Sequence, residues 1–179
     1  KRQIEISCAQ QIAESNDIPH HIIPINSFES LGQNSLTGNK SEFDDGQYRD
    51  LPKTFVPGRN LIFLTFAASL AWQKKINHLV IGTSQTDYSG YPDCRENTIE
   101  AMEKTLNLGL DYAIKIHAPL MHLSKSETVV LAAELGAMDA MAYTHTCYKG
   151  EQPPCQQCEA CKLREKGFIN AGFEDPLLN

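Results

Sequence analysis

The chain has 179 residues, a formal net charge of −6 and 41% hydrophobic residues. This length suits one domain with an appendage, and the composition permits a sizeable buried core. The acidic balance argues against broad binding to nucleic acid, which requires a basic face that neutralises phosphates. The longest apolar run, 61–72, is too short to span a membrane, and no secretion signal opens the chain. We therefore expect a cytoplasmic protein.

The first predicted elements are a helix over 2–15 and a short β-strand over 20–26. Ile4, Cys8 and Ile12 recur at helical spacing in the helix. The chain begins without Met and already inside this helical pattern. We therefore expect the polypeptide to begin earlier, with roughly 40 to 50 further residues at typical element lengths.

A long polar stretch over 32–53 follows, which is typical of a functional or mobile surface loop. The next predicted helix covers 61–76 and is apolar on most faces, so we expect it to be buried. Residues 78–84 are apolar and β-branched, which is typical of a central parallel strand.

The remaining elements before the cysteine-rich tail are a helix over 98–107, a strand over 112–120 and a further helix. That last helix has a predicted capping box, with Ser124 as the N-cap and Glu127 three residues later, and Gly136 as its stop signal. Because strands and helices alternate, we predict an α/β fold with a parallel sheet.

Four of the six cysteines occur in the tail, at Cys147, Cys155, Cys158 and Cys161. Three thiols at two-residue gaps can converge on one tetrahedral ion, and the fourth closes the shell. Disulfides at this spacing would compete for partners, and the absence of a secretion signal favours a reducing compartment. The spacing predicts structural zinc. An iron–sulfur cluster and a redox pair are the alternatives.

Two helix starts are candidate anion sites, because ligands of open α/β sheets bind at the carboxyl ends of the strands. Arg59 and Asn60 follow the turn Pro57-Gly58, where free N–H groups attract anions and an arginine can bind phosphate. Lys125 lies in the first turn of a later helix, where a positive charge is disfavoured unless an anion is near. The alternative is that both side chains are simply solvated.

The loop over 86–95 is the candidate substrate site. It combines two carboxylates, Asp87 and Asp93, with two rings, Tyr88 and Tyr91. Rings can stack on a flat heterocycle, and a carboxylate can accept hydrogen bonds from N–H groups on its edge. The loop therefore predicts binding of such a heterocycle, and a passive surface loop is the alternative.

Four motifs occur in order: FVPGRN (55–60), TDYSGYPDCR (86–95), APLMHLSKSET (118–128) and the four-cysteine tail (146–164). Together they resemble the 7-cyano-7-deazaguanine synthases of the queuosine pathway. The resemblance implies an adenine-nucleotide alpha-hydrolase-like (PP-loop ATPase) α/β fold with a C-terminal zinc subdomain. It also implies an ATP- and Mg2+-dependent ligase that converts 7-carboxy-7-deazaguanine and ammonia to the nitrile, acting as a homodimer without nucleic acid or membrane.

The resemblance also implies residue roles. Catalysis falls to Lys125 and Arg59, and nucleotide binding to Arg59 and Asn60. The substrate-binding residues share one loop and are Ser89, Gly90, Tyr91, Asp93 and Arg95, with Asp93 reading the guanine-like edge. The zinc ligands are Cys147, Cys155, Cys158 and Cys161. Residues 1–140 are then the nucleotide- and substrate-binding domain, and residues 141–179 the zinc-binding subdomain.

One family motif, the Ser-Gly-Gly-x-Asp-Ser pyrophosphate loop, does not occur in this sequence. We expect it upstream, and without it ATP turnover should fail. Two other functions stay open. One is a tRNA-modifying enzyme of the same fold, for which Cys94 is a candidate nucleophile. The other is a non-enzymatic zinc-ribbon module. RNA binding at low salt would favour either of them over the ligase.

Overall fold

The computed structural model describes residues 2–25, 51, 55–86 and 90–178. Its elements are α1 (Arg2–Ser15), α2 (Arg59–Lys74), β1 (His78–Val80), a 3-10 turn (Pro92–Cys94), α3 (Glu96–Leu110), β2 (Lys115–His117), α4 (Lys125–Glu134), α5 (Met138–Met141) and α6 (Glu159–Ala171). The chain divides into two compact units, one of residues 1–22 and 123–179 and one of residues 23–122. The predicted boundary between 140 and 141 stays a prediction, and all of the predicted loop over 32–53 except Leu51 lies outside the described residues.

The unit of residues 23–122 contains a parallel pair of strands flanked by α2 and α3. β1 and β2 pair in register, with Leu79 opposite Ile116. Parallel strands require a long crossover, which here contains α3. The core between the helices and the strands consists of Leu64, Ala68, Ala71, Ile99, Leu106, Ile114, Ile116 and Met121. The α/β class and the parallel pairing predicted from sequence are therefore confirmed.

Side chains of α3 close the edge of β2 that faces away from β1. The Ile116 N–H donates to Glu103 Oε2 at 2.7 Å. One turn later, Asn107 Oδ1 accepts from the Ile114 N–H at 2.7 Å, and Asn107 Nδ2 donates to the Ile114 carbonyl at 3.0 Å. Lys115 Nζ adds an ion pair to Glu103 Oε1 at 3.0 Å. These bonds satisfy backbone groups that an exposed strand edge would leave free.

The same bonds perturb the Glu103 carboxyl group. Burial on its own raises the pKa of Glu103, but the Ile116 N–H and the Lys115 ammonium together hold that pKa below its ordinary value. A depressed native pKa means that the carboxylate stabilises the fold above the ordinary carboxyl range. This contribution is lost as the pH falls through the native pKa.

We expect Glu103→Gln to lower the free energy of unfolding by about 1–2 kcal/mol near neutral pH, because a charged acceptor is replaced by a neutral one. The difference in unfolding free energy between variant and parent should shrink as the pH falls below the ordinary carboxyl range. There the parent's Glu103 becomes protonated and is then neutral, as glutamine is. Urea titrations at several pH values measure this. Glu100→Gln, on an exposed position of the same helix, is the matched control. A pH-independent difference would contradict the assignment.

Two predictions of burial and one of a β-strand are wrong in the described residues. α2 buries only one face, since Phe63, Phe66 and Trp72 are 46%, 41% and 52% exposed. Val80 of β1 is 74% exposed, unlike a residue of a fully covered strand. Residues 20–25 form no strand. Apolar patterning identifies segments that can be buried, but a strand and a covered face also need a partner. No helix in the described ranges is long and apolar enough to cross a membrane.

In the unit of residues 1–22 and 123–179, α4 packs on α6. The capping box is confirmed, because Ser124 Oγ accepts from the Glu127 N–H at 3.3 Å and the Ser124 N–H donates to Glu127 Oε2 at 2.7 Å. Gly136 follows the helix with φ 68° and is confirmed as its stop signal. At Gly167 a Cβ would lie 3.0 Å from the Lys125 Cβ, so glycine permits the close approach of the two helices.

A buried arginine fixes the segment after α6 within this unit. Arg164 of α6 forms a bidentate pair with Asp175, with Nε to Oδ2 at 2.5 Å and Nη2 to Oδ1 at 2.7 Å. Its Nη1 donates to Thr144 Oγ1 at 2.6 Å, and its Nη2 donates to the Met141 carbonyl at 3.0 Å. The guanidinium also lies over the Phe168 ring, 5.2 Å from its centroid.

Candidate functional site

The four tail cysteines converge on one point. Cys147 precedes a turn, Cys155 and Cys158 lie in the loop before α6, and Cys161 lies in the first turn of that helix. Their sulfur atoms all lie within 4.8 Å of one another. Cys161 Sγ is 3.5 Å from Cys158 Sγ and 3.9 Å from Cys155 Sγ. None of the six cysteines, all of which lie in the described ranges, forms a disulfide.

The cluster has the dimensions of a tetrahedral thiolate site. Zn–S bonds of about 2.3 Å in a tetrahedron place the sulfurs about 3.8 Å apart. Backbone N–H groups also point at the sulfurs. Tyr148 donates to Cys158 Sγ at 3.4 Å, and the N–H groups of Cys158 and Gln157 donate to Cys155 Sγ at 3.4 and 3.5 Å. Donors of this kind stabilise thiolate, so the residues present can hold a metal ion such as zinc.

The thiols differ in acidity. Burial raises the pKa of Cys147, but backbone N–H groups, that of Cys155 first, more than offset it and lower the pKa to about 6. For Cys161, burial and the neighbouring Cys158 thiol raise the pKa to about 12. Four thiolates so close together repel one another, and a divalent cation at their centre removes that repulsion. The chemistry of the donor set therefore fits a metal.

A second cluster joins two of the sequence motifs in the unit of residues 23–122. The Asn60 N–H, at the start of α2, donates to Asp93 Oδ2 at 2.9 Å. Asn60 Nδ2 donates to Cys94 Sγ at 3.1 Å and lies 3.5 Å from the Asp93 carbonyl oxygen. Asn60 and Asp93 are only 7% and 5% exposed. The structure therefore brings the FVPGRN and PDCR segments into contact, while their role as parts of one site stays a prediction.

The other predicted residues of this site have different surroundings. Arg59 is half-buried and Arg95 exposed, and neither guanidinium has a hydrogen bond or ion pair within the described part of the chain. Tyr91 is buried against Phe55, with ring centroids 5.6 Å apart. Gly90 is exposed. Ser89, with Asp87 and Tyr88, lies outside the described residues.

Lys125 belongs to the same unit as the four cysteines. It is the first residue of α4 and its side chain is exposed. Its backbone and Cβ lie against Gly167 of α6. The predicted catalytic role of Lys125 stays a prediction.

Residues 1–172 match the model of the family described as queuosine biosynthesis protein QueC. The protein named 7-cyano-7-deazaguanine synthase from Laribacter hongkongensis is 55% identical over 181 residues, which cover 100% of this chain and 79% of that protein. The chain belongs to the QueC family. The resemblance inferred from the four motifs is therefore confirmed.

Two further relatives of the QueC family carry the same name. The 7-cyano-7-deazaguanine synthase from Chromobacterium violaceum is 51% identical over 99% of this chain and 77% of its own length. That from Lysinibacillus sphaericus is 47% identical over 94% of this chain and 78% of its own length.

Sequence reasoning missed several polar residues of this QueC chain. Thr83, which follows β1, is buried, and its Oγ1 has no hydrogen-bond partner among the residues that the structure describes. A buried unpaired hydroxyl at the carboxyl end of a strand is a position where a ligand or water can bind. Nearby, His122 Nε2 contacts Glu96 Oε1 at 3.1 Å, and its Nδ1 contacts Gln85 Nε2 at 3.3 Å. The position of Thr83 at the end of an apolar run was the available signal, whereas nothing local links Glu96 to His122.

Proposed function

We propose that the protein is a 7-cyano-7-deazaguanine synthase, an ATP-dependent ligase of queuosine biosynthesis. It converts 7-carboxy-7-deazaguanine and ammonia to 7-cyano-7-deazaguanine. The observation that carries this proposal is the 55% identity, over the whole chain, to a relative with that name. The proposal includes a fold of the PP-loop ATPase type and a homodimer. The chain's acidic charge fits small-molecule substrates better than RNA.

The chemistry requires two activations. A carboxylate is a poor electrophile, so its oxygen first displaces pyrophosphate from ATP and becomes part of an acyl adenylate. Ammonia attacks the carbonyl carbon, AMP leaves and an amide forms. The amide oxygen then displaces pyrophosphate from a second ATP and so becomes adenylated. Loss of AMP and a proton from that species gives the nitrile. Charge develops on phosphate oxygens at each step, so cationic side chains, N–H donors and Mg2+ stabilise it.

Two arginines of this chain suit that task. Arg59 precedes Asn60 and Arg95 follows Cys94, so both adjoin the 3.1 Å contact between Asn60 Nδ2 and Cys94 Sγ. We assign Arg59 and Asn60 to binding of the nucleotide phosphates, and Arg95 to binding of the substrate carboxylate. Arginine suits both roles because its planar fork matches phosphate and carboxylate. Lys125 is assigned to the acyl phosphate.

The remaining substrate contacts belong to the loop around Gly90. We assign Ser89, Gly90 and Tyr91 to the walls of the deazaguanine pocket, with the backbone of Gly90 able to approach the heterocycle closely. Tyr91 reaches this position from its buried contact with Phe55. The buried hydroxyl of Thr83 is the further polar group that this pocket can use.

The metal is assigned a structural role. Cys147, Cys155, Cys158 and Cys161 supply four sulfurs within 4.8 Å, and four thiolates around one zinc ion leave no position open for a substrate. When bound, zinc cross-links the loop over 147–158 to the start of α6. No step of the ligase reaction requires it.

The experiment is a coupled assay of the product of the full-length gene. We expect AMP release from ATP to require both 7-carboxy-7-deazaguanine and ammonium, and two AMP to form for each nitrile detected by mass spectrometry. Omitting ammonium is the matched control. It should stop the reaction after the first activation, because no nucleophile displaces AMP. Folded, zinc-replete protein that releases no AMP would reject the ligase, and RNA binding at low salt would then favour the tRNA-modifying enzyme or the zinc-ribbon module.

A further inference from the structure

The start of α2 has no cap of its own. Its N-cap residue, Gly58, adopts a left-handed conformation with φ 71° and has no side chain to accept a hydrogen bond. A helix start exposes several N–H groups that need partners. The Arg59 N–H bonds the Val56 carbonyl at 3.1 Å, but the next N–H, that of Asn60, has its acceptor 33 residues away at Asp93.

Asp93 fills the place of the missing cap. Its Oδ2 accepts from the Asn60 N–H at 2.9 Å, which is the bond that a capping side chain usually makes to the second helical residue. A carboxylate is also favoured at the positive end of a helix. Asn60 returns the interaction through its side chain, which donates to Cys94 Sγ at 3.1 Å. We call Asn60, Asp93 and Cys94 the clasp.

The clasp residues bond one another and leave little surface for a ligand. Asp93 is 5% exposed and Asn60 is 7% exposed, so little of either side chain faces solvent. The donors of Asn60 are directed at Asp93 and Cys94. The residues next to the clasp differ, because Arg59 and Arg95 are more exposed and lack partners within the described residues.

We propose that Asp93 is a positioning residue, which caps α2 and thereby holds Arg59 and Arg95 in fixed positions beside the clasp. Asp93 does not itself contact the substrate. The part that concerns the reaction rests on the proposed ligase function. This role differs from reading of the guanine-like edge, which requires an accessible carboxylate. The two roles separate cleanly in experiment, because asparagine caps a helix about as well as aspartate but loses the negative charge that an edge-reading group uses.

The test compares Asp93→Asn with Asp93→Ala in two measurements. Hydrogen exchange at the Asn60 amide should stay slow in Asp93→Asn and become faster in Asp93→Ala. For the reaction, kcat/KM should fall no more than about threefold in Asp93→Asn, and about 100-fold in Asp93→Ala, since misplaced catalytic groups cost about that much. Asp139→Ala, an exposed carboxylate outside this site, is the control for loss of an acidic group.

Three outcomes decide the proposal. Rescue by asparagine in both measurements supports it. An Asp93→Asn protein with a protected Asn60 amide, but with a KM for the deazaguanine raised tenfold or more, overturns it and shows that Asp93 binds the guanine-like edge. This conclusion does not depend on whether Asp93→Ala folds. Unchanged exchange at Asn60 in a folded Asp93→Ala protein also overturns it. If the parent protein is inactive, the ligase assignment fails, while the exchange data still decide whether Asp93 caps α2.

Discussion

Replacing Cys147 with serine is expected to abolish tight metal binding and to unfold the segment around it. Cys147 is fully buried, and its sulfur lies within 4.8 Å of the other three. Serine is a poor zinc ligand at neutral pH, because its hydroxyl stays protonated and a metal ligand must be deprotonated. The parent protein should carry about one zinc per chain, and the variant close to none, as measured by elemental analysis.

The expected loss of stability is large. Structural zinc contributes about 10–16 kcal/mol of binding free energy in small zinc domains, and this free energy is coupled to folding. We therefore expect a strong chelator to lower the thermal midpoint of the parent protein and to increase hydrogen exchange over 147–161. The same chelator should have little effect on the variant, which has no tight site to empty.

Cys8→Ser is the matched control, because Cys8 lies on α1 outside the cluster and is only half-buried. It should retain full metal content. A parent protein that holds no zinc, and whose melting is insensitive to chelator, would contradict the metal assignment. A coloured protein that contains iron and shows charge-transfer absorption would instead support the iron–sulfur alternative.

The features that sequence predicted best are local ones. Ser124 and Glu127 of the capping box are three positions apart, and three of the metal-site cysteines lie within a stretch of seven residues, so spacing alone restricts their geometry. The clasp between Asn60 and Asp93 spans 33 residues, and no local pattern specifies which carboxylate caps α2. For the same reason the sequence predicted Asp93 as part of a site without identifying its partner.

Predictions of burial failed for a related reason. The pattern of α2 is apolar on most faces, but only the face with Leu64, Ala68 and Ala71 has neighbours that cover it within the described residues. A period of 3.6 residues shows which side chains share a face, whereas the number of covered faces depends on what packs against the helix. The edge of β2 likewise depends on what packs against it, because side chains of α3 bond its backbone groups where another strand could pair.

Loss of the Arg164 guanidinium is expected to be the most destabilising single change away from the cysteines. Arg164 and Asp175 are 8% and 7% exposed at their side chains, and their two charges satisfy each other through two hydrogen bonds. Removing one partner leaves the other charge buried without compensation. Such changes cost about 3–5 kcal/mol, so Arg164→Ala should lower the free energy of unfolding by about this amount.

The control is an exposed pair on the same helix. Lys162 Nζ lies 3.1 Å from Glu159 Oε1, with both side chains more than half exposed, so Lys162→Ala should change the free energy of unfolding by less than about 1 kcal/mol.

A double variant, Arg164→Met with Asp175→Leu, separates the cost of an unpaired charge from the value of the pair itself. Buried ion pairs replaced on both sides by apolar residues of similar volume are often close to neutral in stability. The double variant should therefore be more stable than Arg164→Ala, although the Thr144 hydroxyl and the Met141 carbonyl lose their donor. Denaturant titrations of the four proteins complete the comparison. If Arg164→Ala cost no more than Lys162→Ala, the buried pair would contribute nothing to folding, and another contact would have to hold the segment after α6 in place.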